Sequence, residues 1–232
     1  MNSAAMGRYD DYVVKEIVPW AQDRYRTEGV GILGQSSGGF GALHLAFEHP
    51  GVFGVVGSSA GDMGFEYAYL PDLAKACREY RRHGGPEQFL GKLFDDPSTL
   101  KGPTHPSGSA LIVAAMGASY SPVETEPGAF ELPCDWETGE LRADVWARWK
   151  SFDPVVRVGQ PTGAQALRRV SVIGVTGSTD DEWMLDQGAR WFAAVARRQG
   201  LQVMHEELPG GHFARGPRFS ALFPRLVAAL TP

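Results

Sequence analysis

Short apolar runs alternate with stretches of helical periodicity along this chain. Val30-Gly31-Ile32-Leu33, Val52-Phe53-Gly54-Val55-Val56-Gly57 and Val170-Ser171-Val172-Ile173-Gly174-Val175 read as strands. They are apolar at nearly every position, as in parallel strands covered on both faces. A fourth run, Leu201-Gln202-Val203-Met204-His205-Glu206-Glu207, is amphipathic and fits a position near a sheet edge. Helices are predicted between the strands. Tyr12, Val13, Ile17, Trp20 and Ala21 recur at helical spacing within 9–25. A helix from Ser37 to Glu48 ends at Pro50-Gly51, one from Trp183 to Gln199 stops at Gly200, and Ser220–Leu230 closes the chain. This alternation predicts an α/β fold with a mainly parallel sheet flanked by helices.

Between the second and third strands lie about 110 residues of different character. They hold helical patterns at 70–82 and 87–94, then a loop-rich stretch from Pro97 to Pro161. Loops of that length are uncommon unless functional. The expectation is one domain over 1–232, with 61–165 inserted over the strand ends as a lid or pocket wall. Its aromatic and apolar residues (Phe65, Tyr67, Tyr69, Met116, Tyr120, Trp136, Trp146 and Trp149) would line an acyl pocket or form the insertion's own core.

The sequence changes direction most sharply at Gly34-Gln35-Ser36-Ser37-Gly38. This segment fits G-x-S-x-G, a serine on a tight turn from a strand into a helix, and Gly34 and Gly38 are expected to make room for the turn. A serine hydroxyl needs a base to take its proton and a carboxylate to fix the tautomer of that base. Candidates follow in the order Ser, acid, His. Gly177-Ser178-Thr179-Asp180-Asp181-Glu182 lies after the third strand, where open α/β sheets build their sites. Asp180 is the first choice for the acid, Asp181 the alternative, and Asp62 a third option. One acid of the cluster is expected to cap the helix that follows. Pro209-Gly210-Gly211-His212-Phe213 follows the fourth strand, and His212 is the candidate base. The other histidines read as structural or surface residues. The amide of Ser37, at the helix start, is the candidate oxyanion donor.

Charge and composition narrow the alternatives. The net charge is −5, and the arginine pairs are scattered, so no nucleic-acid footprint appears. No run approaches the about 20 apolar residues of a membrane span. Cys77 and Cys134 lack metal-site spacing, and they allow at most one bridge. Gly29–Gly34 matches G-x-G-x-x-G, but these glycines span a strand instead of opening a helix, which argues against a dinucleotide site. Neither a metal nor another cofactor is expected. The start of the chain carries no signal-peptide pattern, and a cytoplasmic location is the provisional expectation.

At these residues the chain resembles the esterase family of α/β-hydrolases that includes esterase D-like and enterochelin esterase-like enzymes. The matching stretches are Gly7-Arg8-Tyr9-Asp10-Asp11-Tyr12 with Glu16 and Pro19, then GQSSGGFGAL, GSTDDE and PGGHF, with Tyr120-Ser121-Pro122, Trp149 and Asp153-Pro154. The resemblance implies a cofactor-free serine enzyme, with Ser36, Asp180, His212 and the Ser37 amide at its centre. One departure stands out. Family members carry several strands ahead of the nucleophile strand, one of them followed by the loop with the second oxyanion donor. Here Ser36 comes only about 35 residues from the start. An N-terminally shortened domain is therefore expected, its first strand left at an edge for a second copy or a partner chain to cover.

The expected function is a serine carboxylesterase acting on small to medium neutral esters through an acyl-enzyme. Two rival readings stand beside it: an acyltransferase using the same triad, and a catalytically impaired or non-catalytic binding protein of this fold.

Overall fold

The computed structural model describes residues 1–27, 29–179 and 181–230. Two short strands, β1 (Asn2–Ser3) and β2 (Gly7–Arg8), pair antiparallel. Four more strands form a parallel sheet: β3 (Gly31–Gln35), β4 (Val55–Ser59), β5 (Val172–Ser178) and β6 (Val203–Leu208), in the order β3-β4-β5-β6. All four stand where the three apolar runs and the amphipathic fourth predict them, displaced by one to three residues. Among the described residues, β3 has a strand on one side only.

The chain divides into two compact units. The first holds the parallel sheet and comprises Met1, Tyr9–Ala68 and Phe152 onward. Its central strands alternate between two covered faces. Val56, Ile173 and Val175 belong to one apolar core, with Leu43 and Phe47 of the helix Ser37–Glu48 and Phe192 and Ala196 of the helix Leu185–Arg198. Val55 points the other way, to Leu222 and Leu226 of the helix Arg215–Leu230. That helix lies close against the sheet because Gly57 and Gly174, paired in register, present no side chain to it. A Cβ at either position would come within 2.6 Å of its leucines. Such burial contributes about 25 cal/mol per Å² of apolar surface, so both helix layers are fixed by the pattern of the strands.

The segment at 9–25 is helical, but it contains a π-helical stretch, Tyr12–Ile17, before the α-helix Val18–Tyr25. The face these residues share is only partly covered: Val13 packs against the core, whereas Tyr12 is 48% exposed and Trp20 58%. The five-residue turn shifts the register that ordinary helical spacing assumes, and burial falls instead on Val18.

The second unit comprises Asn2–Arg8 and Tyr69–Ser151. It contains the predicted helices, Leu70–His83 and Pro86–Asp95. The stretch expected to be rich in loops contains a further long helix, Pro106–Tyr120, and the helix Ala143–Phe152. The sequence PSGSALIVAAMGASY of the former has no polar face to create a helical period, because it is buried on most sides. Tyr69 and Tyr120 pack edge-on against Trp149, at 5.7 and 5.5 Å between ring centres, and tilted against each other at 6.2 Å; the fully buried Trp149 donates from Nε1 to Ser121 Oγ at 2.9 Å. These aromatics are core of this unit. Cys77 and Cys134 are buried free thiols with their Sγ atoms 3.3 Å apart.

No helix among the described residues is long and apolar enough to cross a membrane.

Candidate active site

The turn after β3 is built as its glycine pattern requires, with one revision. A Cβ on Gly34 would stand 2.0 Å from the Gly38 carbonyl oxygen, so only glycine fits there. A Cβ on Gly38 would meet nothing within 4 Å. The second tight position is Gly39, packed against Ser58 and Gly61. Between them Ser36 takes φ +56° and ψ −132°, a conformation that side-chain-bearing residues rarely adopt. Its amide donates to the Ser59 carbonyl at 3.0 Å, and its carbonyl receives the amides of Gly39 and Phe40. The hydroxyl does not cap the helix that begins at Ser37. The Ser37 amide is one of the first four in that helix and has no acceptor within it.

His212 stands in the loop after β6, where Gly210 takes φ +109° to make the turn. Its Nδ1 lies 2.9 Å from Asp181 Oδ2, and both side chains are buried. The other oxygen of Asp181 accepts the Trp183 amide at 2.9 Å, so the acid that meets the histidine also holds the turn that follows it. The expected acidic cap of the next helix is not made: that helix begins at Leu185, behind Met184, with no side-chain cap. Asp180, the first choice for the acid, lies outside the described residues. Asp62 is buried and accepts the Ser37 hydroxyl at 3.1 Å. Trp183 and Phe213 border the imidazole edge-on, at 4.9 and 5.3 Å between ring centres.

Three residues that the sequence did not single out join these loops. Gln35, just before the serine, donates from Nε2 to the His212 carbonyl at 3.0 Å. The Glu182 carboxylate accepts the His212 amide at 2.9 Å. Arg218 is fully buried and donates to Ser59 Oγ at 3.1 Å, to Ser178 Oγ, and to the carbonyls of Gly211 and His212. Burial draws its guanidinium pKa down, and the Asp181 charge opposes that. Nothing in the motif PRF marks Arg218 as buried. Glu182 was visible only as the third acid of its cluster.

The geometry thus joins a strained serine turn, a buried histidine–carboxylate pair and a helix-start amide at the carboxyl ends of four parallel strands. A family model described as "Putative esterase" matches residues 2–215. The chain belongs to this esterase family. No curated protein sequence matches the chain. Among solved structures, a ferulic acid esterase is 18% identical with a TM-score of 0.50; the match covers 96% of this chain and 60% of that one. The esterase-family chain thus spans less than two thirds of that enzyme's length, and the likeness is one of fold. MPT51 of Mycobacterium tuberculosis is 22% identical, with a TM-score of 0.49 and coverage of 96% and 69%.

Proposed function

We propose that this chain is a serine carboxylesterase of the α/β-hydrolase fold. Ser36 Oγ attacks the acyl carbonyl carbon, and its proton passes to Nε2 of His212. Asp181 accepts from Nδ1 and holds the imidazole in the tautomer that leaves Nε2 free to take that proton. The Ser37 amide donates to the oxyanion. Collapse breaks the ester C–O bond, His212 returns the proton to the departing alkoxide, and an acyl-Ser36 remains. Water, deprotonated by His212, attacks the acyl carbon. The acid leaves and the proton returns to Ser36.

One observation carries this reading: the strained Ser36 turn is tied through Gln35 to the same peptide that bears the His212–Asp181 pair. A helix cap or a loop serine needs neither the strain nor the pair. Small to medium neutral carboxylic esters are the proposed substrates, because the rings of Trp183 and Phe213 offer apolar surface beside the base. The test is hydrolysis of a panel of acyl esters by the parent and by Ser36→Ala. Loss of at least about 10⁴-fold in kcat is expected from removing a nucleophile. Full activity in the variant would refute the assignment.

A further inference from the structure

Arg218 makes an unusual set of contacts for a cation with no exposed surface. Burying a guanidinium is unfavourable unless its N–H groups find acceptors, and an apolar side chain of similar size often serves packing as well or better. The acceptors here are neutral oxygens on three different strand ends. Nε reaches Ser59 at the end of β4, Nη1 reaches Ser178 at the end of β5 and the Gly211 carbonyl at 3.2 Å, and Nη2 reaches the His212 carbonyl. Ser178 Oγ itself donates to the Gly211 carbonyl at 3.3 Å. On the opposite side of the same peptide, Glu182 takes the His212 amide. Both polar groups of the peptide that carries the imidazole are therefore held by charged side chains.

We propose that Arg218 and Glu182 clamp the His212 peptide and are positioning residues of the site; this rests on reading Ser36 as nucleophile and His212 as base. The planar fork of arginine fixes several acceptors at set angles, which a lysine ammonium cannot reproduce. The clamp acts on direction. With the backbone of residue 212 fixed, the ring has only its own two torsions left, and the Asp181 bond settles them. Without it, the Gly210-Gly211 turn gives the loop freedom to carry the ring away from Asp181. A misplacement of about 1 Å at a catalytic group costs up to about 10²-fold in rate.

The test uses the full chain as parent, Arg218→Lys and Glu182→Ala. A fluorophosphonate is the probe, and the rate of adduct formation at Ser36 is followed by intact mass and peptide mapping. The downfield proton resonance of the imidazole Nδ1–H reports the Asp181 bond independently, and circular dichroism reports the fold. Labelling is expected to slow by about 10- to 10²-fold in Arg218→Lys. Loss of one hydrogen bond in Glu182→Ala should slow it by about 3- to 10-fold. In both, the resonance should broaden or vanish while the fold is kept. Either variant, folded and labelled within twofold of the parent, overturns the clamp, and so does slowed labelling with an unchanged resonance. Should Arg218→Lys fail to fold, Glu182→Ala decides, because that side chain is exposed. Absence of an adduct at Ser36 in the parent refutes the nucleophile reading, and the resonance then tests the clamp alone.

Discussion

Replacing Asp181 by asparagine tests the acid with little change of shape. Asp181 Oδ1 accepts the Trp183 amide at 2.9 Å, and Oδ2 meets His212 Nδ1 at 2.9 Å. In Asp181→Asn the Trp183 amide needs an oxygen, so the side-chain carbonyl stays there and the NH₂ faces the imidazole. Nδ1 must then accept, and the ring proton moves to Nε2. A protonated Nε2 cannot take the Ser36 proton. The loss expected from a wrong tautomer in such a triad is about 10⁴-fold in kcat. At about 1.36 kcal/mol per decade, the barrier rises by about 5 kcal/mol. Thermal stability should change by no more than about 1 kcal/mol, since one neutral hydrogen bond replaces a charged one. The assay is steady-state hydrolysis of p-nitrophenyl acetate, with circular dichroism as the control for folding. Asp180→Asn should retain activity within about threefold, less than the net worth of one hydrogen bond. Equal activity of Asp181→Asn and the parent would refute the reasoning, and loss confined to Asp180→Asn would transfer the role.

Gly34→Ala, which sets a methyl 2.0 Å from the Gly38 carbonyl oxygen, should destabilise by at least about 1–3 kcal/mol in thermal or urea unfolding, whereas Gly38→Ala, in open space on a helix, should be neutral or stabilising by up to about 1 kcal/mol. Ser36→Gly should raise the melting temperature while abolishing hydrolysis, because φ +56° is strained for serine and free for glycine; relief of about 1–3 kcal/mol is expected, and an unchanged or lower melting temperature would argue against strain. The buried thiols of Cys77 and Cys134, 3.3 Å apart, should join when diamide oxidises them, with a mass loss of two hydrogens and a gain of roughly 4 kcal/mol in stability from closing a loop of that length. Two alkylatable thiols after oxidation would contradict this.

The parts legible in the sequence are those where local chemistry and global fold agree. The helix Ser37–Glu48 is legible because the serine turn opens it and Pro50-Gly51 closes it. The central strands β4 and β5 are visible as apolar runs because both their faces are buried, whereas the half-buried β6 shows as an amphipathic run. The helix Pro106–Tyr120 was not visible, since a helix buried on most sides has no polar stripe to betray its period. The helical spacing of Tyr12 and Trp20 does not mark a buried face, because the π-helical stretch Tyr12–Ile17 breaks that spacing and both rings are exposed. At the site, Ser36 and His212 are marked by their own glycines. Adjacent acids offer no such mark: only the fold brings Asp181 to the imidazole. Arg218 was least legible, because a lone arginine near the start of a helix reads as solvated surface, and its burial depends on three strand ends meeting above it.

The central claim is that Ser36 is an activated nucleophile served by His212. Reaction of the purified chain with a fluorophosphonate, read by intact mass and peptide mapping, tests it without knowledge of the natural ester. The account predicts a single adduct on Ser36 that is lost in a folded His212→Ala variant. No adduct on the folded parent chain, or an equal rate of labelling in His212→Ala, would contradict it.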